Sequence, residues 1–250
     1  MKVLVSDNLS ATGVEILKKE SGLEVDVKTG LPKEELIKII PAYEGLIVRS
    51  ATKVVAEIIE AADNLKVIGR AGIGVDNIDL DAAGKKGIIV MNAPEGNIIT
   101  TAEHTMALLL SMSRNIPQAR SSLKNKKWAP KEFMGVELFE KTLGIIGLGR
   151  IGSIVAERAR AFQMKIVVFD PYISQDRAEK LGVELVELND LLSRSDFLTL
   201  HTPGLAGKPL LGKEEFEQMK PGIRIVNCAR GSLIDDSALI EAVQAKIVAG

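Results

Sequence analysis

An α/β fold built from two doubly wound parallel sheets is predicted by three features of the sequence. Short apolar runs alternate with amphipathic segments, the order in which strands and covering helices follow one another in a parallel sheet. The alternation occurs twice, over residues 1–96 and 97–250, with the longest helical pattern of the chain between the two series. In the second series a strand, a glycine turn, a helix, a second strand and an acid fall within about one βαβ unit.

The first series reads as strand and helix pairs at residues 3–6 and 14–19, 23–27 and 32–40, and 45–48 and 54–62, followed by strands at 66–69 and 87–91. Ser10 is placed to cap the first helix. Pro32 is placed in the first turn of the second, with Glu34 and Glu35 near the positive end of its dipole. The connecting helix opens at residues 97–103, where Thr100 and Glu103 have the spacing of a capping box. Its apolar centre at 106–112 makes it a candidate support for both domains. Strands resume at Thr142 and recur at 165–169, 183–186, 197–200 and 224–227, with breaks at 204–212 and 220–222. Asp235, Asp236 and Ser237 open a helix to Ala245, and residues 247–250 read as the start of another strand, so the second sheet is expected to be incomplete at its C-terminus.

Composition narrows the function classes. The 250 residues are 46% hydrophobic and 26% charged, enough for one large or two modest cores. With 32 basic and 33 acidic residues the formal net charge is −1, which leaves no electrostatic case for nucleic acid or an anionic membrane. The densest basic patch, Lys124, Lys126 and Lys127 beside Trp128, reads as a solvated loop. The single cysteine, Cys228, excludes an internal disulfide and a cysteine-based metal site and fits a reducing cytoplasm; no metal is expected. The apolar run after Met1 is too short for a signal peptide, and no uncharged apolar stretch approaches the roughly 20 residues of a spanning helix.

The chemistry centres on the stretch from Thr142 to Gly152. Gly147 permits the tight turn after a buried strand, Gly149 lets backbone approach a pyrophosphate, and Gly152 lets helix and strand pack without an intervening side chain. The helix that follows directs its free N–H groups at the phosphates. Asp170 closes the next apolar run, 18 positions beyond Gly152, where a carboxylate can accept ribose hydroxyls and repel a 2′-phosphate. The expected cofactor is therefore NAD in preference to NADP. The stretch Gly72-Ile73-Gly74-Val75-Asp76-Asn77 also follows a strand but lacks the third glycine and the closing acid, and reads as a loop able to offer amides to an anion.

Ligands of an open parallel sheet gather beyond the carboxyl ends of its strands. Five motifs lie there in order: Leu46-Ile47-Val48-Arg49-Ser50, Gly69-Arg70-Ala71-Gly72-Ile73-Gly74-Val75-Asp76-Asn77, Gly147-Leu148-Gly149-Arg150-Ile151-Gly152, His201-Thr202-Pro203 and Val226-Asn227-Cys228-Ala229-Arg230-Gly231. Together they resemble the D-2-hydroxyacid dehydrogenase family, and within it the members that oxidise 3-phosphoglycerate to 3-phosphohydroxypyruvate with NAD at the start of serine biosynthesis. The resemblance runs the length of the chain. It implies a flavodoxin-like substrate-binding domain in residues 1–96 and a Rossmann-like NAD-binding domain in 97–250.

The resemblance also implies roles. Arg230 matches the catalytic arginine, whose guanidinium can take a 2-hydroxy acid's carboxylate in a two-bond fork. Gly74 and Val75 match the loop whose amides meet that carboxylate, and Arg49, Ser50 and Asn97 match positions that help hold the substrate and its phosphate, with Arg70 a further candidate. Arg150 and Ile151 fall to the pyrophosphate, Asp170 to the ribose, and Ile73, Thr202, Cys228 and Ala229 to the nicotinamide half, with Cys228 as packing. His104 lies in the connecting helix, where packing is the default. His201 sits at a strand end, but the family's base is a later histidine oriented by a glutamate, both beyond the segment that residues 247–250 match. The chain as given is therefore expected to be catalytically incomplete. A regulatory domain after residue 250 is left open, and a homodimer formed through the cofactor domain is expected to cover an apolar face at 102–112. The alternatives are a hydroxypyruvate or glyoxylate reductase of the same family, and an NAD-binding module without turnover.

Overall fold

A computed structural model describes residues 1–203 and 208–250, which divide into the compact units Met1–Asn97 and Ile98–Gly250. The first unit runs β1 (Lys2–Val5), α1 (Ala11–Lys19), β2 (Glu24–Val27), α2 (Lys33–Ile39), β3 (Gly45–Val48), α3 (Ala56–Ala61), β4 (Val67–Arg70), α4 (Leu80–Lys85) and β5 (Ile89–Asn92). Its strands pair in parallel in the order β2-β1-β3-β4-β5, which is the flavodoxin-like order. The central strands β1 and β3 are apolar and almost wholly buried, as strands covered on both faces must be, whereas the edge strands β2 and β5 are largely open. Leu4, Leu46, Val48, Ile58, Ile59 and Ile68 form the centre of the core.

Local signals set the helix starts. The Ser10 side chain accepts the Gly13 N–H at 3.1 Å and caps α1. Pro32 stands one place outside the expected position: it is the cap of α2, and its carbonyl accepts the first helical N–H groups, from Glu35 and Leu36. Its fixed φ suits either place, so composition alone does not separate them. Helix α4 was not legible as a periodic pattern, being only six residues long; its signal is Asp79, which accepts the Ala82 N–H at 2.9 Å.

The second unit runs α5 (Ile98–Ser113), α6 (Ile116–Lys124), β6 (Thr142–Ile146), α7 (Arg150–Ala161), β7 (Lys165–Phe169), α8 (Gln175–Leu181), β8 (Glu184–Leu185), α9 (Leu188–Arg194), β9 (Phe197–Leu200), α10 (Lys213–Glu217), β10 (Arg224–Asn227) and α11 (Asp236–Gln244). The parallel order β10-β9-β6-β7-β8 is the dinucleotide-binding one, with its switch point between β6 and β9. Beyond β10 the chain continues the ladder: Val248 pairs with Ile223, and the Ile225 N–H donates to the Gly250 carbonyl at 2.9 Å. One face of the sheet packs Leu143, Ile145 and Val168 against Val155 and Ala159 of α7 and Ala102, Met106 and Leu109 of α5. The other packs Ile146, Leu198 and Leu200 against Leu191, Phe216 and Leu233.

Two sequence expectations change here. Helix α5 begins at Ile98, so Thr100 and Glu103 lie inside it and form no capping box, which needs its first member in extended backbone outside the helix. The strand read at 183–186 shortens to the two residues of β8, at the edge of the sheet. Of the break read at 204–212, residues 204–207 lie outside the described residues. At the other predicted start, Asp235 accepts the Ala238 N–H at 2.8 Å and caps α11.

Candidate functional site

In the second unit the three glycines meet three different demands. Gly147 turns the chain after β6 at φ +93°, and a Cβ there would stand 2.9 Å from the His201 carbonyl group. At Gly152 a Cβ would be driven into the Gly147 carbonyl oxygen, so the first turn of α7 can lie on the loop only without a side chain. Gly149 differs: no heavy atom stands within 4 Å of its Cβ direction. It is the cap residue of α7, a 12-residue helix, and supplies no side-chain cap, so the space on its Cβ side is clear at the start of that helix.

Asp170, at the end of β7, closes the loop from the side. Its Oδ2 accepts the Leu148 N–H at 2.7 Å and its Oδ1 the Tyr172 N–H at 2.9 Å. A carboxylate retains acceptor capacity beyond these two bonds. Arg150 is exposed at the first position of α7, while Ile151 is half-buried and packs on the core. At the end of β9 the His201 N–H donates to the Ile146 carbonyl at 2.8 Å, and Thr202 follows, half-buried.

After β10, Asn227 fixes the turn that presents Arg230. Its Oδ1 accepts the Ala229 N–H at 3.0 Å and its Nδ2 donates to the Arg230 carbonyl at 2.8 Å. Arg230 is half-buried, and its Nη1 donates to the Ala229 carbonyl at 3.0 Å. Cys228 packs on one face's core and Ala229 on the other's. Asn227 stands in the fifth motif without an assigned role; an asparagine closing a strand before a turn was the available signal for one.

In the first unit the corresponding groups stand beyond β1, β3 and β4. Asp7, only 4% exposed, accepts the Arg49 N–H at 2.6 Å, the Thr52 N–H at 3.0 Å and the Thr52 hydroxyl at 2.6 Å. Burial pushes the Asp7 carboxyl up, but the Thr52 hydroxyl and the backbone N–H groups of Thr52, Arg49 and Ala51 outweigh it and hold it below the ordinary carboxylate value. Arg49 donates from Nη1 to the Asn8 carbonyl at 3.1 Å, and Ser50 is exposed beside it. The Arg70 guanidinium lies over Gly72, in the space a Cβ at Gly72 would take. Ile73, Gly74 and Val75 follow in the same loop, which Asn92 holds by donating to the Ile73 carbonyl at 2.6 Å. The Gly74 and Val75 N–H groups have no acceptor among the described residues. Asn97 is exposed at the end of this unit.

Residues 106–250 match the family described as D-isomer specific 2-hydroxyacid dehydrogenase, NAD binding domain. The chain belongs to this dehydrogenase family. Over all 250 residues it is 53% identical to the D-3-phosphoglycerate dehydrogenase of Archaeoglobus fulgidus, of which it covers 47%. The chain spans about half the length of the curated relatives it matches. Among solved structures, the whole of this dehydrogenase-family chain superposes on 80% of the TT0316 protein from Thermus thermophilus, with a TM-score of 0.91 and 37% identity. It likewise covers 80% of an NAD-dependent formate dehydrogenase from Staphylococcus aureus in complex with NAD, with a TM-score of 0.90 and 30% identity.

His201 is tuned away from base chemistry in this unit. Burial pushes its imidazole down to about 4, and its Nε2 lies 3.1 Å from the Thr199 hydroxyl. A general base works best near the operating pH, so a neutral, weakly basic imidazole is a poor one. The shift also makes a stability prediction. Unfolded, the ring gains its proton near pH 6.5; folded, it does so only near 4, so its contribution is fully present above pH 6.5 and is lost as pH falls towards 4. Urea melts at pH 7.5 and 5 should show His201→Gln removing about 2 kcal/mol of the stability difference between them. An unchanged difference would mean that the ring is not held neutral.

Proposed function

We propose that this chain supplies the substrate-binding and NAD-binding units of a cytoplasmic enzyme that oxidises 3-phosphoglycerate to 3-phosphohydroxypyruvate, the first step of serine biosynthesis. The observation that carries the reading is the glycine turn between β6 and α7, where Gly149 leaves the start of the helix clear of side chains and Asp170 accepts the Leu148 N–H from the end of the neighbouring strand. Supporting it, curated relatives about 50% identical over the whole chain bear the name D-3-phosphoglycerate dehydrogenase. The half-buried free thiol of Cys228 suits a reducing compartment.

In this reading the α7 amides, Arg150 and Ile151 hold the cofactor's pyrophosphate, and Asp170 takes the ribose hydroxyls with the acceptor capacity left by its two backbone bonds. When bound, the nicotinamide supplies the acceptor for the hydride of substrate C2. Thr202, Cys228 and Ala229 bound the nicotinamide half. Arg230, held by the Asn227 turn, takes the substrate carboxylate in a fork; always charged, it orients the acid and does not remove the hydroxyl proton. Gly74 and Val75 add their amides to the carboxylate, and Arg49 and Ser50 take the phosphate, with Arg70 and Asn97 beside them in role.

A second copy of the chain is the proposed partner. The face expected at 102–112 is not the surface to be covered, since Ala102, Met106 and Leu109 are buried in the chain's own core; what is exposed is Leu108 of α5, Ile116 and Leu123 of α6, and Trp128 and Met134 after it, which a homodimer would cover. Sedimentation should give twice the chain mass, and a monomer at micromolar concentration would remove the partner.

Cofactor choice is tested by fluorescence titration of NADH and NADPH. NADH should bind more tightly, and Asp170→Ala should narrow the gap by weakening NADH; equal affinities in the unaltered chain would remove Asp170 from the ribose. Substrate class is tested in the full-length enzyme. Arg49→Ala should raise KM for 3-phosphoglycerate by a factor worth about 1.5–3 kcal/mol, that of a charged hydrogen bond, and leave an unphosphorylated 2-hydroxy acid nearly unaffected. Equal losses would favour a plain hydroxyacid substrate.

A further inference from the structure

The loop at residues 49–52 is fixed from two sides by groups that no phosphate contact requires. From one side Asp7 takes the Arg49 and Thr52 N–H groups and the Thr52 hydroxyl. From the other, Asn77 Nδ2 donates to the Arg49 carbonyl at 2.8 Å and the Thr52 carbonyl at 2.7 Å. Asn77 is itself anchored, since its carbonyl accepts the Val54 N–H at 2.7 Å, while its Oδ1 is buried without a partner. An amide kept in place at the expense of an orphaned oxygen is there for its two donated bonds. What remains free is on the ligand side: Ser50 has no hydrogen-bond partner among the described residues.

The place matters as much as the bonds. Asp7 follows β1 and Arg49 follows β3, the neighbouring strands between which the order of the first sheet reverses, and in such sheets ligands bind outside the carboxyl ends at that switch point. A buried negative charge there would oppose an anionic ligand if it faced one. Here it faces N–H and O–H donors instead, and an ionised carboxylate, with about four acceptor positions and no donor, is the side chain that can receive them all.

We propose that Asp7 is a positioning residue for the substrate phosphate, and that with Asn77 it holds the 49–52 loop in the shape in which Arg49 and Ser50 face that phosphate. This rests on the assignment of Arg49 and Ser50 above. Asp7 acts through the loop and does not touch the substrate. Its neighbour Asn8 completes the arrangement by accepting Arg49 Nη1, so one turn after β1 sets both the backbone and the side chain of Arg49.

The test uses full-length enzyme carrying Asp7→Asn, Arg49→Ala or both, with kcat and KM measured on 3-phosphoglycerate and on D-glycerate, and NADH affinity alongside. An asparagine keeps the size but presents an amide to the N–H donors. Asp7→Asn should raise KM for 3-phosphoglycerate about tenfold, with kcat changed far less and with D-glycerate and NADH unaffected. Added to Arg49→Ala it should cost less than about a further twofold, because residues acting as one unit are not additive. An unchanged KM, an equal loss on both acids, a weakened NADH affinity, or a full tenfold further loss in the double variant would overturn the proposal. If Arg49→Ala is itself unselective, the phosphate assignment fails; if it is selective and Asp7→Asn is neutral, only the positioning role fails. Should Asp7→Asn not fold, Thr52→Val decides, with a smaller rise of about threefold in KM for the phosphorylated acid alone; no rise would overturn the proposal.

Discussion

A parallel sheet ends each strand in a loop whose N–H groups have no neighbouring strand to receive them, and the rest of this structure depends on how those groups are satisfied. Two carboxylates do it in the two sheets. Asp170, after β7, takes the Leu148 amide and so ties the glycine loop after β6 to the neighbouring strand. Asp7, after β1, takes the amides of the loop after β3. In each case the acid spans adjacent strands at their carboxyl ends and takes backbone N–H groups of the loop beside it.

The two glycine loops show how the same composition serves different ends. The loop beginning at Gly147 runs directly into α7, so its last amides are also the first amides of a helix. The loop beginning at Gly72 runs instead to Asp79, whose side chain caps α4 and occupies that helix's donors. It is also covered by the Arg70 guanidinium, for which Gly72 leaves the room. The first loop can therefore receive a diphosphate at a helix end, whereas the second has only isolated backbone amides, at Gly74 and Val75.

Much of this was legible in the sequence, for local reasons. Among the described residues the apolar runs matched the strands to within a residue or two, the central ones because strands buried on both faces are continuous apolar segments. Ser10 and Asp235 marked helix starts because a cap bonds an amide three residues ahead. The steric demands at Gly147 and Gly152 were legible because strand, turn and helix fall within one βαβ unit. Asp7 was not, since the amides it receives lie 42 and 45 residues away and no spacing announces them. Asn227 and Asn77 stood in the motifs without a role for a related reason: their bonds go to backbone, and any polar residue in a turn is a candidate for that. His201 shows the converse, for its strand-end position offered a base and its burial in the fold pushes the imidazole down, away from that role.

The proposed pyrophosphate contact depends on the first amides of α7 taking the cofactor's phosphates. Amide hydrogen exchange with and without saturating NADH measures that directly. Exchange should slow at residues 149–152, the N–H groups a phosphate would take, and at 170–172, while α11 and the amino end of β6 stay as they were. Unchanged exchange at 149–152 with NADH bound, or protection confined to other segments, would contradict it.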